Sequence, residues 1–109
     1  MANTFKNKVF NGANIVAATD MTVYTAPAST TTVVIGLTLA NTTTSQITVD
    51  IKLKAGNVVF LAKDIPIPSS SSFEYMAGNK VVLEAGNSLI LQSDTANSLD
   101  TVASIMEIT

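Results

Sequence analysis

Histidine, cysteine, arginine and tryptophan are all missing from the 109 residues. Without histidine there is no Ser-His-Asp or Cys-His arrangement, no imidazole zinc site and no general base of the commonest kind. Without cysteine there are no disulfides and no thiolate ligands, and the redox compartment stays open. Without arginine the bidentate fork that reads phosphate or guanine is gone. Six lysines against eight carboxylates leave a net charge of −2, so no basic field awaits a nucleic acid. Charge of either sign is scarce, at 13% of residues, where a free-standing domain usually keeps about 25–35% of its surface charged. No apolar run reaches membrane-spanning length. Ile15-Val16-Ala17-Ala18, behind Lys6 and Lys8, is too short for the apolar region of a signal peptide. The expectation is a chain made and used without export and without a membrane partner.

What is present is apolar and neutral-polar. At 47% hydrophobic the chain is outside the disordered class, and its length suits one core. Polarity comes from tracts such as Thr30-Thr31-Thr32, Thr42-Thr43-Thr44-Ser45 and Ser69 to Ser72. Neutral groups desolvate at lower cost than ions, so a second protein can cover such a surface without stranding charges. Strand propensity alone explains the same threonines equally well.

Period-two alternation is clearest over Gln46 to Lys54, where Ile47, Val49, Ile51 and Leu53 predict one buried face. Thr31 to Ala40 alternates likewise, with Val33, Ile35, Leu37 and Leu39 on one side. Asn41 to Ser45 joins the two runs as a loop of hairpin length. Val58 to Ala62 is apolar on both faces, Val59 and Leu61 one way and Val58, Phe60 and Ala62 the other, so one face must meet something besides the core. Ile65-Pro66-Ile67-Pro68 ends that strand, and two prolines with no N–H on one side of the ribbon predict a sheet edge. Strands are predicted at Ser72 to Met76, Lys80 to Leu83, Ser88 to Gln92 and Ser98 to Ile108, with a hairpin at Glu84 to Asn87. Ala-Gly-Asn recurs at 55–57, 77–79 and 85–87, each a turn using the positive φ open to Gly and Asn. The whole predicts an all-β, two-sheet antiparallel sandwich, immunoglobulin-like or jelly-roll, over residues 20–109. Residues 1–19 form an N-terminal arm or edge strand.

The remaining chemistry is thin. Asp50, Asp64, Glu74, Glu84, Asp94, Asp100 and Glu107 could in principle supply a glycosidase pair, but no spacing forces two together, and Asp50 alternates outward between Thr48 and Lys52 as a solvated acid. Asp94 to Asp100 carries hard oxygen donors, yet lacks the Gly and terminal Glu of an EF-hand and reads as an ordinary loop. No phosphate-cradling glycine motif occurs, so no cofactor is expected. Asn41-Thr42-Thr43 matches a glycosylation sequon by chance in a Thr-rich chain.

Several segments together resemble small β-sandwich virion proteins of tailed phages. They are Val23-Tyr24-Thr25-Ala26-Pro27, Thr31 to Asn41 with its Leu-Thr-Leu-Ala-Asn ending, Ile65 to Ser71, Val81 to Asn87, and the closing Ile105-Met106-Glu107-Ile108-Thr109. The resemblance implies a non-enzymatic structural subunit, made in the host cytoplasm and used in the virion, with other virion proteins and further copies of itself as partners. A capsid decoration or cement role leads, and a neck or tail accessory subunit is the alternative. A displayed carbohydrate- or host-recognition module competes less well, because sugar sites favour aromatic platforms. The candidate interface residues are Phe5, Phe10, Ile15, Val58 and Phe60, with Phe60 expected rather in the domain's own core.

Overall fold

In the computed structural model residues 3–11, 16–75 and 80–109 are described. Ile15, Met76 and the Ala-Gly-Asn at 77–79 lie outside them. Among the described residues nine strands form: β1 (Asn3–Phe10), β2 (Met21–Thr25), β3 (Thr31–Asn41), β4 (Ile47–Ala55), β5 (Asn57–Ile67), β6 (Ser72–Glu74), β7 (Val81–Leu83), β8 (Ser88–Ser93) and β9 (Leu99–Ile108). Sheet I runs β1-β9-β3 with β6 and β7 end to end along the far edge of β3, and sheet II runs β2-β8-β4-β5, all antiparallel. With β6 and β7 taken as one interrupted strand, these two orders are the double Greek key of a jelly roll. An immunoglobulin sandwich would pair its first two strands in one sheet, whereas β1 and β2 here belong to opposite sheets.

The core follows from the alternation. Ile47, Val49 and Ile51 of β4 meet Leu37 and Leu39 of β3, Leu89 and Leu91 of β8, and Ala103 and Ile105 of β9. Each large side chain withdrawn from water contributes roughly 1.5–3 kcal/mol.

Three expectations need correction. The loop from Asn41 to Ser45 is not a hairpin, because β3 lies in sheet I and β4 in sheet II. Its arch is held by the Asn41 amide, which donates to the carbonyls of Ser45 (2.8 Å), Ile67 (2.9 Å) and Pro68 (3.1 Å). Glu84 to Asn87 likewise crosses between sheets, with Gly86 at φ 88. The true hairpin is β4–β5, turned by Gly56 at φ 79. Asn41 is also buried, so its amide is unavailable to a glycan.

The second correction concerns β3. Its register to β9 slips between Val34 and Gly36, the mark of a bulge at Ile35. Before the bulge Thr32 and Val34 point inward, and after it Leu37, Leu39 and Asn41 do. Val33 and Ile35 therefore face out, not in.

The third concerns β5. Two register shifts against β4 put Val59, Ala62, Ile65 and Ile67 opposite the inward residues Leu53, Ile51, Val49 and Ile47. Ala62 thus packs against the core together with Leu61, while Val59 stays 50% exposed. Asp64 takes φ 56 at one irregularity, and the Asp50 carboxylate accepts its N–H at 2.7 Å. Asp50 is a bulge cap rather than a free acid. The strand ends at Ile67, within the Ile65-Pro66-Ile67-Pro68 segment as expected. Thr48, opposite Pro66, uses its own N–H and C=O on Asp94 at the β8 side. The Pro66 nitrogen consequently points to the open edge, where a missing donor blocks a further strand.

Candidate functional site

Because β1, β9, β3 and β7 are in register, the outward side chains of sheet I line up in rows across the strands. Phe5 pairs with Met106, Met106 with Val33, and Val33 with Val82, a continuous apolar ridge. The next row is small and polar, with Asn7 opposite Ser104 and Ser104 opposite Gly36. Then come Val9, Val102 and Thr38, ending on Glu74 of β6. Phe5 is 72% exposed, Val9 71% and Val82 54%. Between ridge and next row an open hollow of about 340 Å³ is lined by Phe5, Lys6, Asn7, Ile35, Ser104 and Ile105. The face also carries Asp100 and Glu74, and the Glu74 carboxylate accepts from the Leu37 N–H and the Thr38 hydroxyl.

This face depends on β1, which buries little of its own. Seven of its eight residues are exposed, and only Phe10 packs partly against the core. Besides the ladder to β9, β1 is tied by Lys6, whose ammonium lies 2.8 Å from Glu107. The other Glu107 oxygen accepts the Tyr24 hydroxyl at 2.5 Å, and that hydroxyl lies 2.8 Å from the hydroxyl of Thr32. Lys6 and then the Tyr24 hydroxyl hold the Glu107 carboxyl below its ordinary 4.5. Burial, and after it Glu107, pushes the Tyr24 phenol above 10.0.

The sign of the pH dependence follows. A carboxyl that titrates lower when folded contributes stability at pH values above 4.5, lost as acid carries the solution down through its folded value. A phenol raised by folding acts oppositely, contributing below pH 10.0 and losing that contribution above it. Urea midpoints of the parent chain are therefore expected to fall below pH 4.5 more steeply than those of Glu107→Gln. Equal slopes would remove Glu107 from the account.

The sequence-based candidates divide. Phe5 stands on the ridge and Phe10 at the rim of sheet I, while Ile15 lies outside the described residues. Val58 and Phe60 occupy the outward side of β5 in the other sheet, each 50% exposed. Phe60 is not in the core: the ammoniums of Lys52 and Lys63 stand 5.1 and 5.2 Å from its ring centre. Sequence reasoning missed Val9, Val33, Ile35, Val82 and Val102. Their signal was a second set of apolar residues on the face opposite the one assigned to the core, obscured by the bulge at Ile35.

Other candidates are engaged structurally. Asp94 accepts from the Thr48 N–H and the Thr95 hydroxyl, both at 3.0 Å. Ser93, Thr95 and Ser98 bond within the same loop. Among the described residues no three metal-ligating side chains gather. The Tyr75 hydroxyl donates to the Leu61 carbonyl at 2.8 Å, so both tyrosines hold internal bonds.

No protein-family model matches the chain, and no curated protein matches its sequence. Two crystal structures of a pentameric capsid protein isolated from metagenomic phage sequences superpose on it with TM-scores of 0.40 and 20% identity. The superposition covers 95% of this chain but 60% and 59% of the capsid protein, so the chain spans about three fifths of that protein's length. A likeness of this depth carries no functional information.

Proposed function

We propose that the chain is a non-enzymatic structural subunit of a phage virion, and within that class a capsid decoration or cement protein. The observation that supports this most is the outer face of sheet I, a broad ridge-and-hollow surface made mostly of apolar and neutral side chains. A surface of that kind serves to be covered, since exposed apolar patches this wide mark interaction sites. The jelly-roll order agrees at the level of fold, since viral capsid domains use it, as do lectins. A sugar-binding reading is weakened because Tyr24 and Tyr75 engage their hydroxyls internally and tryptophan is absent. Absence of histidine and cysteine speaks against hydrolase chemistry.

The test is mass spectrometry of heads and tails separated from particles of the phage that encodes the chain. Peptides at fixed stoichiometry in the head fraction support the decoration role. Recovery with tails or necks moves the subunit to the alternative position, and absence from every particle fraction overturns the virion reading.

A further inference from the structure

The outer face of sheet I is shaped to fit itself. Successive outward rows are two residues apart, about 7 Å along the strands. The Phe5–Met106–Val33–Val82 ridge and the Ser104 hollow are therefore neighbours separated by one such step. A two-fold axis running across the strands midway between them carries ridge onto hollow and hollow onto ridge, the self-complementarity that an isologous contact requires. The same rotation sets the Val9–Val102 row over the row that contains Ile108. It also keeps the strands of the two copies nearly aligned, as packed sheets prefer.

The area agrees. The exposed side chains of Phe5, Val9, Ile35, Val82 and Val102 add to roughly 500 Å², near the upper end of what a monomer leaves bare. With the neutral residues between them the face approaches the ~800 Å² per partner of a standard interface. Asp100 lies at the far end of the strands from the two-fold, while the Glu74 carboxylate, which reaches back beside Gly36, is already engaged by the Leu37 N–H and the Thr38 hydroxyl.

We propose that this face docks on the same face of a second copy, each ridge seated in the other's hollow. The proposal rests on reading the face as an interface and adds its occupant. Docking also covers the outward side of β1, which the isolated chain holds mainly by its ladder and Lys6.

Sedimentation equilibrium of the full chain, over a concentration series reaching about 300 μM, tests it. A monomer–dimer equilibrium is expected, weakened at least tenfold by Val82→Glu and by Ser104→Arg, since each buries an unpaired charge. Thr22→Glu, on the outer face of sheet II, is expected to leave it unchanged. Circular dichroism checks each fold, and where Val82→Glu unfolds, Ser104→Arg decides, its side chain being at the surface. A monomer throughout, a ring of three or more copies, or a dimer indifferent to both variants overturns the proposal. A monomer that still enters particles defeats this inference and spares the virion reading, whereas a dimer absent from all particles does the reverse.

Discussion

Asn41→Ala is expected to lower the unfolding free energy by about 3–5 kcal/mol, seen as a reduced urea midpoint at unchanged slope. The reasons lie in what the side chain closes. Asn41 is 3% exposed, at the point where β3 leaves sheet I for the other layer. Its amide satisfies three carbonyls, those of Ser45, Ile67 and Pro68. Its oxygen accepts the N–H of Thr43 at 2.9 Å and the hydroxyl of Thr43 at 2.7 Å. Truncation strands polar groups from both the arch and the end of β5, each worth about 1–3 kcal/mol when buried without a partner. Thr43→Val removes one half-buried hydroxyl and is expected to cost under about 1.5 kcal/mol. A loss for Asn41→Ala no larger than that for Thr43→Val would mean that water replaces the hub.

The second large effect separates two neighbouring residues. Val34→Asp is expected to cost more than about 4 kcal/mol and to leave little folded chain, because it places a carboxylate in the closed core. Ile35→Asp, one position on, is expected to cost less than about 1 kcal/mol in the monomer. Val34 is fully buried, whereas Ile35 is 36% exposed on the outer face. An unbroken strand would put Ile35 inward with Leu37 and Leu39 and reverse the order of the two losses. Thermal or urea unfolding of the pair thus tests the bulge directly.

That bulge also marks where sequence reading stops. β4 was legible because Ile47, Val49 and Ile51 alternate without interruption and sit between two neighbours. The edge position of β5 was legible because a proline nitrogen cannot serve a ladder, and Pro66 turns out to aim at the open side. β3 was half legible: the residues after Ile35 kept the expected phase and those before it did not, since a single extra residue exchanges faces while leaving composition untouched. The connections were misread for a related reason. Asn, Gly and Ser permit a reversal, but the same residues make a turn within one sheet or an arch to the other. What decides is which strand is already waiting as partner, and that is non-local. Of the candidate surface, Phe5 was found from its apolar side chain in a polar context. Val82 and Val102 were invisible because valine in a strand looks alike on either face.

The order of strands bears on how the chain reaches this state. β3 has as its full-length neighbour β9, so that Thr31 must find Ile108, and β2 must wait for β8. Few pairings reward local closure, the β4–β5 hairpin being the early exception. Loop entropy is therefore paid before most of the contacts that repay it, which places the domain among the slow folders, on the scale of milliseconds to seconds. During that interval β3, rich in valine and leucine, has both edges open, and the rate at which new chain is supplied governs whether it meets β9 or another copy of itself.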